Sequence, residues 1–311
     1  MLKIFVFFIL LFSSEISILS AQEEKDQFHS ILDYPQIHIF SDQTTSKLAP
    51  QIADVWPAIE STVHRSLGVT FPRKVLLCLC SKEEWFTQHL GSYWSYISAV
   101  ALPDSDQIML RTSQISPISN HWRETLTHEF VHLVLIEYER KLKKEIPKWY
   151  HEGTAEAVSG QGHFDNDQMD LALNSYTNRL PALEHFSKTF GNSELELKLG
   201  YAVSRSICGY LESQYGKHIH QNILRHLKKA PDFSTAFQQA TGVSLQFFET
   251  QWKDALKGSF SWLDFLWVSG ILLIFLPLIL TCILYRQKAK RRRELYKKWE
   301  DEGEEEFGEI D

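Results

Sequence analysis

The stretch THEFVH at residues 127–132 holds two histidines, His128 and His132, four residues apart, with Glu129 directly after the first. Residues i and i+4 of a helix lie one turn apart on one face, so both imidazoles can reach a single cation. H-E-x-x-H on a helix is a pattern in which the pair binds a metal, usually zinc, and the glutamate beside it takes a proton from water. Around the motif, Leu126, Phe130, Val131, Leu133, Val134 and Leu135 cover the rest of the helix and predict that it is nearly buried. A buried imidazole pair without partners is costly, and metal ligation removes that cost. The plain alternative is an amphipathic helix that carries two histidines.

A third ligand would decide between them. The segment IPKWYHEGTAEAVSG, residues 146–160, offers Glu152, far enough past His132 for one helix to end, a loop to turn and a second helix to return. Glu152 is expected to start that helix, whose small residues in EGTAEAVSG let it pack close to the first. Two histidines and one glutamate leave the fourth zinc position open for water, as catalysis requires. His151 is the rival ligand; as an immediate neighbour it points about 100° away if the turn is helical.

HEFVH followed by PKWYHEGTAEAVSG resembles the gluzincin metalloproteases, and within them the peptidase MA-like domains, which carry H-E-x-x-H and then a W-x-x-E-G-x-A segment. QIMLRTSQ is similar to the strand before their active-site helix. YAVSRSICGYLESQYG and FSTAFQQATGVSLQFFETQW are similar to their closing helices. The resemblance covers roughly residues 35 to 255. It implies that His128, His132 and Glu152 ligate zinc and that Glu129 is general base and proton shuttle. Glu156, one turn after Glu152, matches an acidic residue that could orient a ligand histidine; the alternative is a solvated helix position. Tyr201 is similar to a tyrosine that recurs in this family and would serve the oxyanion, with Tyr150, His151 and His163 as rivals. The sequence has no G-x-M-E-N segment of the kind that grips a substrate's N-terminus in related aminopeptidases, which favours an endopeptidase. QIMLRTSQ is the expected edge for an extended substrate.

The elements that must position these residues are readable in outline. Gln36 to Phe40 alternates as a strand. Leu48, Ile52, Val55, Ile59, Val63 and Leu67 repeat at helical spacing, and Gly68 closes that helix. KVLLCLC reads as a buried strand. SKEEWFTQHL opens a helix with Ser81 as N-cap and Glu84 three later. Two strands joined by the turn PDSD precede the motif helix, roughly 120 to 140. Helices follow: YAVSRSICGYLESQYG, HIHQNILRHLKK, FSTAFQQATG and LQFFETQWKDAL. Strands first and helices later predict an α+β fold of zincin-like type.

The ends of the chain set its compartment. One lysine, an apolar run from Ile4 to Phe12 and a small-residue region ending near Ala21 have the order of a signal peptide over residues 1–21. An exported peptidase domain is expected over 22–260. The run FLWVSGILLIFLPLILTCILY is uncharged, and a transmembrane helix is expected over 261–285, flanked by Trp262, Trp267 and Tyr285. RQKAKRRRELYKK after it predicts a cytoplasmic tail, 286–311, basic then acidic. That places the catalytic domain outside the cytoplasm, on a bacterial inner membrane or cell surface. A net charge of -7 offers nothing to nucleic acid as a whole, so the partners expected are a peptide or protein substrate and the membrane. Cys78 and Cys80 share one face of a strand. A bridge from either to Cys208, or three buried free thiols, both fit; Cys282 falls in the expected span. Two other function classes use the same residues: a silent receptor or assembly factor on this scaffold, against which the intact Glu129 argues, and a zinc hydrolase of a non-peptide substrate.

Overall fold

Val75, Leu77 and Leu79 face one side of a strand, and Cys78 and Cys80 face the other. Both sides are apolar, so this strand belongs inside a sheet rather than at its rim. The computed structural model describes residues 28–43, 46–82, 98–114, 121–160, 165–191, 193–259 and 271–307. The expected signal peptide, residue 83 onward of the helix expected at SKEEWFTQHL, and His163 lie outside them. Ser81, expected to cap that helix, donates its backbone N–H and its hydroxyl to Asp42 Oδ2 at 2.7 and 2.9 Å.

Among the described residues the sheet has five strands: β1 (His29–Asp33), β2 (Ile37–Ser41), β3 (Val75–Cys80), β4 (Ala99–Leu102) and β5 (Gln107–Arg111), in the order β1-β2-β3-β5-β4. β1 pairs antiparallel with β2, β2 and β5 run parallel to β3, and β4 returns antiparallel on β5. QIMLRTSQ therefore lies second from the rim, and the rim strand is β4. The β4–β5 turn falls at PDSD, where Ser105 N–H donates to Leu102 O at 3.3 Å.

Helix α1 (Leu48–Leu67) crosses from β2 to β3. It buries Leu48, Ile52, Trp56, Ile59, Val63 and Leu67, so Trp56 takes the place in the stripe where Val55 was expected. Gly68 closes it at φ 65°, its N–H donating to His64 O, a conformation that glycine adopts without a Cβ penalty. Helix α2 (His121–Leu142) is buried on nearly every side from Trp122 to Ile136. It packs on β4 and α1, and Trp56 of α1 meets Phe130 of α2 at 5.0 Å between ring centroids.

Helix α3 (Lys148–Ser159) starts one turn before Glu152, because Pro147 takes the N-cap with φ -60° and ψ 142°. Helix α4 (Asp165–Tyr176) follows, then α5 (Glu194–Tyr215), α6 (Ile219–Leu227), α7 (Phe233–Thr241) and α8 (Leu245–Ser259). α5 begins well before the expected YAVSRSIC. Ser193 and Glu196 form a reciprocal capping box there, satisfying two backbone donors that would otherwise be orphaned.

The architecture is α+β, with a small sheet and a mainly helical remainder. The chain divides into two compact units, Met1–Lys257 and Gly258–Asp311. The transmembrane helix expected over 261–285 is overturned: among the described residues no helix is long and apolar enough to cross a membrane. The helix present, α9 (Ile271–Phe307), leaves its uncharged stretch at Tyr285 and continues through Arg286 and the basic cluster. Among the described residues its apolar part falls short of the about 20 residues that a hydrocarbon core demands; residues 261–270 of the expected span, with Trp262 and Trp267, lie outside them. Cys80 and Cys208 are buried free thiols, so no bridge reaches Cys208; Cys78 is buried as well and Cys282 is exposed.

Candidate metal centre

α2 and α3 pack against each other, and the contact brings His128, His132 and Glu152 together. None of the three side chains, nor that of Glu129, exposes any surface. One ligand atom from each of the three lies within 4.8 Å of the others. Glu152 Oε2 is 3.4 Å from His132 Nε2 and 3.7 Å from His128 Nε2. The imidazoles stand 4.7 Å apart at 78°. Ligands 2.0–2.2 Å from a tetrahedral ion sit about 3.3–3.6 Å from one another, close to the separations found.

The polar inventory points the same way. Both ring nitrogens of His132, both oxygens of Glu152 and Oε1 of Glu129 are buried and make no hydrogen bond among the described residues. Unsatisfied buried polar atoms are expensive, and five in one place fit a cation as the missing partner. Burial drives the His132 imidazole down to about 4, so it is neutral with a lone pair to give. For Glu152 burial works toward protonation, but His132 and His128 outweigh it and hold the carboxyl well below the usual range. For His128 burial works against protonation and is outweighed by Glu152, Glu129 and Glu156, which raise it. A bound cation would take the place of that proton.

Glu129 is anchored by one oxygen: Oε2 accepts the Ala101 N–H of β4 at 2.8 Å. Burial pushes its carboxyl up to about 7; His128 opposes this and Glu152 adds to it. A carboxyl poised there can both take and return a proton near neutral pH.

His151, the rival ligand, turns to Glu139, with Nε2 3.3 Å from Oε2, and stacks on His132 at 6.2 Å. Glu156 is buried and accepts from Arg205 Nε and Nη2 at 3.2 and 3.3 Å, which explains how a second carboxylate is tolerated there. Tyr201 on α5 packs edge-on against Phe190 at 5.2 Å. Burial, then the charges of Glu152 and Glu129, raise its phenol well above the ordinary value, so it stays a donor. Tyr150 turns away, to His220 Nδ1 at 2.9 Å.

Sequence reasoning missed Ala101, because a backbone N–H carries no residue type. It missed Arg205 and Glu139, which are ordinary charged helix residues until their partners are known. It also missed Lys148, a buried ammonium 4.9 Å from the Phe190 ring centroid.

Known proteins place the chain. It is 24% identical over 179 residues to the uncharacterised protein YhcO of Bacillus subtilis (strain 168), an alignment covering 56% of this chain and 52% of that protein. The chain thus spans about half the length of the curated relative it matches. The family model of the Peptidase MA superfamily matches residues 69–258, a segment that contains both helices carrying the candidate ligands, the strand that holds Glu129 and the helix that carries Tyr201. This chain is a member of the Peptidase MA superfamily, with a peptidase-like domain.

Proposed function

We propose that this protein is a zinc metallopeptidase that cleaves internal peptide bonds, with His128, His132 and Glu152 holding the ion. The observation that carries the reading is the fully buried convergence of His128, His132 and Glu152, with the ring nitrogens of His132 and the oxygens of Glu152 left without hydrogen bonds among the described residues and Glu129 beside them. Zinc held there would polarise a substrate carbonyl and make water a nucleophile near neutral pH. The chain's own residues do the rest. Ala101 N–H fixes Oε2 of Glu129, so Oε1 is the oxygen that receives the proton from water and later delivers it to the leaving amine. Tyr201, kept protonated, donates to the developing oxyanion.

The substrate strand belongs on β4. Arg111 N–H donates to Ser98 O, and residues of an antiparallel pair alternate in their bonding. Ala99 and Ala101 therefore turn their backbone groups to the outer edge, where Glu129 already takes one. An extended peptide pairing with that edge passes beside the metal ligands.

The test uses the full chain: zinc content and hydrolysis of a peptide library by the wild type, Glu129→Gln and Glu152→Ala. The expected result is one zinc in the wild type and Glu129→Gln, less in Glu152→Ala, and cleavage by the wild type alone. A wild type without zinc overturns the reading. Zinc without cleavage of any peptide keeps the site and overturns the peptidase assignment.

A further inference from the structure

Tyr150 and Thr154 stand one turn apart on α3 and bracket Glu152. At 100° per residue they point to one side of the helix, and Glu152 points to the opposite side. Their side is gripped by one residue. His220 of α6, wholly buried, brings Nδ1 to 2.9 Å from the Tyr150 hydroxyl and 3.3 Å from Thr154 Oγ1. Its Nε2 lies 3.5 Å from Glu212 Oε1 of α5. Nε2 makes no hydrogen bond at that distance, but the nearby Glu212 carboxylate favours the proton on the nitrogen facing it, which leaves Nδ1 to accept from Tyr150.

We propose that His220 is a positioning residue for the metal site, acting through α3: it fixes the rotation of that helix about its axis and thereby the place of the Glu152 carboxylate. The inference rests on the proposed zinc site. Its physical basis is leverage. A side-chain tip on a helix lies about 5–6 Å from the axis, so a turn of some 20° carries a carboxylate about 2 Å. Ligand distances tolerate about 0.2 Å. Gly153 closes the same helix onto α5, where a Cβ would meet Ser204 O at 2.2 Å and Cys208 Sγ at 2.4 Å. That close approach sets the distance between α3 and α5; the bonds to His220 set the rotation.

The test measures zinc affinity by competition with a chromophoric chelator, and the visible spectrum of the Co2+ form, on the full chain. His220→Leu removes the acceptor and should weaken zinc about 10- to 100-fold, as loss of an outer support does, and shift the Co2+ bands while far-UV circular dichroism stays unchanged. His220→Asn returns an acceptor near the Nδ1 position and should restore affinity to within about threefold. Ile223→Ala, a core truncation on the same helix, should lower Tm and leave affinity and spectrum at wild type. Should His220→Leu fail to fold, the pair Tyr150→Phe and Thr154→Val removes the same hydrogen bonds from α3 and should give the same loss. Wild-type affinity and spectrum in His220→Leu, or in the Tyr150→Phe and Thr154→Val pair, overturn the inference. So does an affinity loss that follows Tm equally in Ile223→Ala. A wild type that binds no zinc overturns the metal site and this inference with it, whereas zinc held equally by wild type and His220→Leu overturns this inference alone.

Discussion

Tyr201 carries the sharpest expectation at the scale of single residues. Burial, with the charges of Glu152 and Glu129, keeps the proton on its phenol, as the proposed oxyanion donor requires. Removing one such donor costs about 10²–10³ in kcat in comparable sites. Tyr201→Phe should therefore lose that much kcat on any peptide the wild type cleaves, with zinc content and KM nearly unchanged. A tenfold rise in KM at full kcat would make Tyr201 a binding group instead. At this scale the sequence was most legible where residue type and spacing act together. His128 and His132 share a face because of their four-residue spacing. Glu152 was separable from His151 by a turn of the helix. What supports them was hidden: Ala101 contributes a backbone group, and Arg205 and Glu139 act only through neighbours distant in sequence.

The contact between α3 and α5 governs the elements. Gly153 lies flush against the Ser204 carbonyl and Cys208, and a larger residue must push the helices apart. Gly153→Val should destabilise by about 1–3 kcal/mol or more, the usual range for overpacking, read from urea denaturation, and should weaken zinc binding as Glu152 moves. Gly160→Ala, with nothing near its Cβ position but φ 77°, should show a strain cost without the loss of zinc. Helix ends were the hardest part to read. The start of α5 was written in the Ser193–Glu196 capping box, upstream of the apolar repeat that drew attention to the helix. The start of α3 was set by Pro147, so Glu152 falls inside the helix rather than at its first position. The rim strand was misread for a different reason. AVAL is wholly apolar, which reads as an inner strand, but it is the shorter of the two, as rim strands often are.

For the molecule as a whole, an ion bound at the proposed site would couple to folding. Metal that binds only the folded state adds about 2.7 kcal/mol at a hundredfold excess over Kd. For a unit the size of Met1–Lys257 each kcal/mol is worth about 2–4 °C. Chelation should thus lower Tm by about 5–10 °C in the wild type and leave Glu152→Ala where it was; equal shifts in both would show that the chelator acts elsewhere. Fold class was legible at this scale from strands preceding helices. The membrane span was not, because a hydropathy window counts apolar residues and takes no account of the helix they belong to. α9 joins its apolar stretch directly to a long charged one, and the pattern in sequence looked like a span followed by its stop signal.

Because His128, His132 and Glu152 expose no surface, a chelator that meets a bound ion at its open fourth position cannot displace these three ligands until the fold around them loosens. Metal exchange would then be timed by the protein rather than by the reagent. Its rate would level off as chelator is raised, and the plateau would report how often the site breathes.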